Sequence, residues 1–324
     1  MVARFLGLIS AMLLLAGTGS APQVGAQTTK EVVRRVVEGI WNQGRMELAE
    51  ELFAPGFVNH DPNPGAVDDL DGFKEWVVRW RSAFPDIHVE IHDLVAEEDG
   101  VGARLTATGT HRGEFLGIPA TGIPVTMKII NLYRLVDGRV AEVYRSCDLL
   151  GLGQQLEYLE PLPEEVFPFS FVRRENPVEF AWGSSSGSMG DPGDPESNKA
   201  LCVREVEEGW NRGDAAAALA IVAPTFVFHS VYPEVTDFES YRQWIEGHID
   251  PENPTRIAID DPIAEGDKVV DLSVADLGGG LVEEGIRISR YADGKMVEMW
   301  RNLNVLPVLV ELGLLPTFPE FEGG

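Results

Sequence analysis

The chain repeats itself. Residues 36–60, VVEGIWNQGRMELAEELFAPGFVNH, return at 205–229 as EVEEGWNRGDAAAALAIVAPTFVFH, which sets Trp41 over Trp210 and His60 over His229 at an offset of 169. The alignment stays collinear: LVAEEDGV at 94–101 lies over PIAEGDKV at 262–269, and VDGRVAEVYR at 136–145 over ADGKMVEMWR at 292–301. A duplicated plan means two copies of one domain, and the period governs how every local pattern is interpreted. For 324 residues, two domains of about 130 residues each fit the usual domain size. The offset drops from 168 at Asp99/Asp267 to 156 at Asp137/Asp293, so copy two lacks twelve residues between these pairs. Copy one carries GTHRGEFLGIPATG there, and copy two only ADLGGGL. Near the end of each copy Glu142 matches Glu298, Tyr144 matches Trp300 and Arg145 matches Arg301, but Asp148 falls on Asn304.

Within a copy, helical patterns precede strand patterns. KEVVRRVVEGIWNQ spaces Val32, Val33, Val36, Val37, Ile40 and Trp41 as one buried face of a helix. MELAEELFAPGFVNH predicts a second, short helix ended by Pro55-Gly56, and DLDGFKEWVVRWRSAFPD a third. After Pro85 the segments alternate and are β-branched, with hairpin turns at EEDG and VDGR. Helices followed by strands predict an α+β domain whose antiparallel sheet is covered on one face by helices. The repeated WN dipeptides suit helix-end packing and a turn.

Arg4, the apolar run FLGLISAMLLLAG and the small residues up to Ala26 predict a signal peptide over 1–26, too short to span a bilayer. A first domain over 27–160, a Pro/Gly/Ser-rich linker over 161–197 and a degenerate second domain over 198–320 follow. Phe167, Phe169, Phe171, Phe180 and Trp182 in that linker predict that its first half packs on a domain. A secreted or periplasmic location is expected. Without Arg4 the 26 basic residues become 25, against 52 acidic ones, and such a surface repels nucleic acid and anionic membranes. Cys147 and Cys202 are the only cysteines; one bridge and two buried thiols both remain open. His88 and His92 share a strand face without a third His or Cys nearby, so no metal site is expected.

FVNHDP, FPDIHVEIHDLVAEEDGVGARLTATGTHRGEFLGIPATG and DGRVAEVYRSCDLLGLGQQL together resemble the SnoaL-like polyketide cyclase (ester cyclase) family of the nuclear transport factor 2 superfamily, over residues 30–156. The resemblance implies tandem cone-shaped α+β barrels, the second degenerate, and cofactor-free, aldol-type acid/base chemistry of the lyase or isomerase kind on a small apolar carbonyl or ester compound. It also implies that Asp148 is the acid/base, with His60 and His111 on the same cavity and Asn131 placed by its strand. Strand alternation puts Glu142, Tyr144, Ser146 and Asp148 on one face, which suits a polar-ended cavity; Glu142, Tyr144 and Tyr133 join Asn131 as expected substrate contacts. Duller readings stand beside these. Asp148 suits the N-cap of the helix starting at LLGLGQQL, and His60 keeps its partner His229 where Asp148 does not. Copy two, with Asn304 and without the histidine hairpin, is expected to be catalytically silent and to pair with copy one, leaving further homo-oligomers open. The alternative for the whole chain is an exported ligand-binding or protein-interaction module without turnover.

Overall fold

The computed structural model describes residues 26–61, 67–160, 190–230 and 235–316. The predicted signal peptide, apart from Ala26, and the linker aromatics lie outside the described residues.

In copy one, α1 (Ala26–Arg35) continues into a π-helical stretch, Val36–Asn42. Val33, Val36, Val37 and Ile40 are almost wholly buried beneath the sheet, each contributing about 1.5–3 kcal/mol of burial. Asn42 ties the end of this helix to a strand: its Nδ2 donates to the Val89 carbonyl at 3.0 Å and its Oδ1 accepts from the Val89 N–H at 2.7 Å. Asn211 does the same to Ile257 in copy two, at 3.0 and 2.7 Å, which explains the repeated WN. There follow α2 (Ala49–Leu52), β1 (Phe53–His60), α3 (Leu70–Ala83), β2 (His88–Glu97), β3 (Gly100–Thr110), β4 (Pro124–Val136), β5 (Arg139–Cys147) and α4 (Leu149–Gln155).

The second helix differs from expectation: α2 stops at Leu52, and Pro55-Gly56 lie inside β1. The sheet order β1-β5-β4-β3-β2 puts β1 at an edge, where proline's missing N–H is tolerated, and the register slips between Phe53 and Val58. β1 runs parallel to β5 and the other pairs are antiparallel, so the sheet is mixed. The VDGR turn forms as expected, with Asp137 at φ 51° and Gly138 at φ 73°, the left-handed pair a tight hairpin needs.

Copy two repeats the plan with α5 (Pro195–Arg204), a π-helical Glu205–Trp210, α6 (Ala215–Leu219), β6 (Val222–His229), α7 (Phe238–His248), β7 (Arg256–Ile259), β8 (Ile263–Glu265), β9 (Lys268–Gly278), β10 (Leu281–Ala292), β11 (Lys295–Leu303) and α8 (Val305–Glu311). Its sheet order is β6-β11-β10-β9-β7, with β8 also on β9.

The helices cover one face of each sheet, and the opposite faces meet. Val95, Ile130 and Leu132 of copy one form one apolar cluster with Ile263, Val270, Ile286, Ile288 and Trp300 of copy two. Glu265 accepts from the Ala96 N–H at 2.9 Å, and Glu97 from the Ala264 N–H at 2.8 Å. Lys30 pairs with Glu265 as Lys199 pairs with Glu97. Each member of these pairs is the aligned counterpart of the other, so this part of the interface is self-complementary, as in a two-fold dimer. Arg104 lies over the Trp300 ring at 4.2 Å, and a Cβ on Gly102 would stand 2.6 Å from Val270; only glycine lets the sheets approach this closely.

Candidate active site

Between the helices and the concave face of the copy-one sheet lies a cavity walled by Trp41, Trp76, Trp80, Ile87, Val89, Leu105, Ala107, Met127, Ile129, Cys147 and Leu149. Three polar residues interrupt this lining: Asp61, Asn131 and Arg145. Asp61 and Arg145 form an ion pair, Arg145 Nε to Asp61 Oδ2 at 3.3 Å, with the two side chains 1 % and 5 % exposed. The guanidinium also lies 5.6 Å from the Trp41 ring centre. Asn131 Nδ2 donates to the Tyr133 hydroxyl at 3.0 Å, while its Oδ1 is buried with no hydrogen bond among the described residues. The empty space totals about 480 Å³ including the open mouth.

Strand alternation holds, but the cavity takes the opposite face from the one expected. Arg145 and Cys147 line it, so Glu142, Tyr144 and Ser146 turn toward copy two. The reason is the second domain: a sheet covered on both sides offers its polar-looking face to a partner rather than to a ligand. His60, Glu142 and Tyr144 form a cluster there. His60 Nε2 lies 2.8 Å from Glu142 Oε2, the Tyr144 hydroxyl donates to the same oxygen at 3.1 Å, and the His60 and Tyr144 rings stack at 4.2 Å. The hydrogen bond from His60 holds the Glu142 carboxyl below its ordinary pKa. Copy two builds the same group from His229, Glu298 and Trp300, with His229 3.0 Å from Glu298 and the rings stacked at 5.2 Å. Retention in both copies thus follows from the β1–β5 and β6–β11 pairings, which set His60 beside Tyr144 and His229 beside Trp300.

Asp148 sits at the N-cap of α4, where Oδ1 accepts from the Gly151 N–H at 2.8 Å; its neighbours Cys147 and Leu149 face the cavity, but Asp148 is not in the wall. His111 is fully buried and stacks on Phe84 at 5.2 Å. Phe84 packs on Trp80 at 5.3 Å, so His111 stands one ring behind the cavity wall. Its Nδ1 lies 3.1 Å from the Thr121 hydroxyl and 3.3 Å from the Thr121 N–H, and burial lowers its pKa. Tyr133, two residues along β4, is buried beside Asn131 and does not line the cavity. Of the catalytic and substrate-binding residues expected from sequence, Asn131 alone is on the wall. Asp61 and Arg145 were missed. Asp61 followed His60 in a stretch that reads as a turn, and the repetition of Arg145 as Arg301 was the available signal.

A SnoaL-like polyketide cyclase family model matches residues 31–156, and a SnoaL-like domain model matches residues 203–299. Aklanonic acid methyl ester cyclase DnrD of Streptomyces peucetius is 32 % identical over 144 residues, covering 42 % of this chain and 96 % of that protein. Aklanonic acid methyl ester cyclase DauD of Streptomyces sp. strain C5 is 30 % identical over 141 residues, 41 % of this chain and 84 % of that one. The chain belongs to the SnoaL-like polyketide cyclase family. Among solved structures, TsrD from Streptomyces laurentii is 29 % identical, covers 42 % of this chain and 99 % of that one, and superposes with a TM-score of 0.39. On the two family matches and the curated cyclases, the molecule is a tandem of SnoaL-like domains and a polyketide cyclase-like enzyme.

The second SnoaL-like domain fills the equivalent interior with charge. Arg287 pairs with Glu205, reaches Asp271 Oδ2 from Nε at 2.6 Å and approaches Cys202 Sγ at 3.4 Å. A smaller hollow remains between Trp210, Tyr241 and Arg301 among others, with about 320 Å³ of empty space including its mouth. Cys147 and Cys202 are free thiols, each buried in its own domain. Among the described residues no three His, Cys, Asp or Glu side chains are grouped to hold a metal, and no helix is long and apolar enough to cross a membrane.

Proposed function

We propose that the first domain closes a ring in a small, largely apolar carbonyl or ester compound by cofactor-free acid/base chemistry, with Asp61 as the carboxylate that moves the proton. The observation that carries this reading is the polar end of the aromatic cavity: Asp61 held by Arg145, with the unpaired Asn131 Oδ1 beside them on the wall. In an intramolecular aldol step, the Asp61 carboxylate takes a proton from the carbon next to a carbonyl. The resulting enolate carbon bonds to a second carbonyl carbon, whose oxygen becomes an alkoxide and recovers the proton. Arg145 offers N–H groups where negative charge develops on oxygen, the position at which preorganised donors act most strongly. Asn131 Oδ1 suits a hydroxyl of the ligand, since a buried acceptor without a partner is costly. Asp148, capping α4 from the cavity's edge, holds the Cys147–Leu149 wall in place; His111 backs Trp80.

Aklanonic acid methyl ester is the substrate to try, because the curated relatives are cyclases of that compound. Cyclisation leaves the mass unchanged, so chromatographic retention and absorbance report it. Asp61→Asn is expected to lower kcat by about 10²–10⁴, the range for general acid–base groups, while Asp148→Asn retains more activity. The reverse order of the two variants would return the acid/base role to Asp148. Saturable binding of the ester without conversion by the native chain would instead favour a ligand-binding module. We also propose export directed by residues 1–26; an intracellular chain with its N-terminus intact, detected by mass spectrometry, argues against it.

A further inference from the structure

Two amides, Asn302 near the end of β11 and Asn304 at the N-cap of α8, stand where the aligned positions of the first domain carry Ser146 and Asp148. Both are buried, and both reach across the domain boundary to backbone. Asn304 Nδ2 donates to the Arg145 carbonyl at 3.1 Å, and its Oδ1 accepts from the Cys147 N–H at 3.3 Å. Asn302 Nδ2 donates to the Ser146 carbonyl at 2.8 Å and to the Lys128 carbonyl at 3.1 Å. Residues 145–147 are the last three of β5, the strand that presents Arg145 and Cys147 to the cavity.

The first domain does not return this grip. Ser146 Oγ is buried without a hydrogen bond among the described residues, and Asp148 Oδ1 serves its own helix through Gly151. Unlike the reciprocal Glu97 and Glu265 contacts, this grip is one-sided, and that gives a chemical reason for the loss of a carboxyl from the second copy. An amide donates and accepts at once; a carboxylate only accepts, and at position 304 it would face the Arg145 carbonyl without a proton to offer.

We propose that the second domain is the positioning half of the site: Asn304, supported by Asn302, fixes the end of β5 and thereby the aim of Arg145 at Asp61. The inference rests on the reading of the cavity as a reaction site. Neither amide touches substrate; both act through the backbone of β5.

Asn304→Asp in the full-length chain tests it. The shape is kept, but the ionised side chain lacks the donor, whereas the protonated carboxyl donates and accepts as the amide does. At about pH 8 the carboxylate and the Arg145 carbonyl are both acceptors and repel, so the side chain withdraws from β5 and Cys147 loses its acceptor: the protection of the Cys147 amide against hydrogen exchange is expected to fall about tenfold relative to the native chain, and kcat on aklanonic acid methyl ester to fall about 10- to 100-fold, as small misplacements do. KM is expected to stay within about twofold, the pattern of an interaction that matters in the transition state. Both losses recover as the pH is lowered toward about 5. Ionisable groups on the packed elements are Arg145, Cys147 and Asp148 at the end of β5, Lys128 on β4 and Glu284 on β10; the native chain has them too, so the ratio of variant to native isolates the new carboxyl. Asn302→Ser, which installs the residue of the first domain, removes both of its donors and is expected to lose protection at Ser146 and Cys147 without any recovery at low pH.

Native-like protection of Cys147 in Asn304→Asp at about pH 8, or of both amides in Asn302→Ser, overturns the clamp. Lost protection with unchanged kcat overturns its link to the site. A native chain that leaves the ester untouched counts against the cyclase reading instead, and the exchange ratios still decide the clamp.

Discussion

Replacing Arg287 by methionine isolates what fills the second domain. Arg287 is the cation for two carboxylates buried with it: its side chain is 8 % exposed, that of Glu205 2 % and that of Asp271 0 %. Methionine matches the stem and removes the charge, leaving two acids facing each other in an apolar interior. Breaking a buried pair in this way typically costs about 3–5 kcal/mol, because a charge remains without compensation. Protonation sets a ceiling. An acid with an ordinary pKa near 4 can be neutralised at pH 7 for about three times 1.36, or roughly 4 kcal/mol, so two acids bound the penalty at about 8 kcal/mol. Burial already holds the Asp271 pKa above its ordinary value. Loss of Arg287 raises it further, and the folded variant then binds more protons than its unfolded chain between the two pKa values. Its stability relative to the native chain must therefore rise as pH falls; at about pH 5 the ceiling is only about 1.4 kcal/mol per acid. Urea unfolding followed by tryptophan fluorescence at both pH values measures this. A loss under about 1 kcal/mol at pH 7, or a loss that does not shrink at pH 5, would refute the assignment of these groups as a compensated ion cluster. Replacing all three residues by apolar ones of similar volume is expected to be neutral or stabilising.

Other outcomes are as specific. Trp300→Ala removes a fully buried ring from the inter-domain cluster and from beneath Arg104; a loss of about 3–5 kcal/mol is expected, seen as a lower urea midpoint, and a loss below 1 kcal/mol would contradict the packing. Gly102→Val places a Cβ against Val270, so the thermal midpoint should fall, whereas an unchanged midpoint would show that the sheets do not meet there. Asp86 accepts from the Thr110 N–H and hydroxyl, each at 2.7 Å, and the backbone bond lowers its pKa. The support it gives to the start of the His111 excursion is present above the unfolded value of 3.8 and is lost as pH falls through the lowered pKa. Exchange protection at the Thr110 amide that declined already near pH 6 would be incompatible with this.

Much of the architecture was legible because it is local or repeated. The spacing of Val33, Val36, Val37 and Ile40 marks a helix face whatever it packs on, the Asp137-Gly138 turn needs left-handed backbone that few residues adopt, and the duplication is visible letter by letter. Pro55-Gly56 misled because a proline that breaks a helix is also admitted at a sheet edge, and only the strand order shows that β1 is one. The site was less legible. Alternation along β5 separates Glu142, Tyr144 and Ser146 from Arg145 and Cys147 with certainty, but it cannot say which set meets a cavity. That depends on what covers each face.

By itself the sequence determined two α+β copies, a shared family, and a second copy stripped of its histidine hairpin. The tertiary structure alone decided that the polar-looking face of β5 belongs to the partner domain, that Asp61 and Arg145 face the cavity, and that Asn304 grips a backbone 159 residues away. Periodicity is written by neighbours three or two residues apart, whereas a buried ion pair or a clamp is made by groups that only folding brings within 3 Å or so.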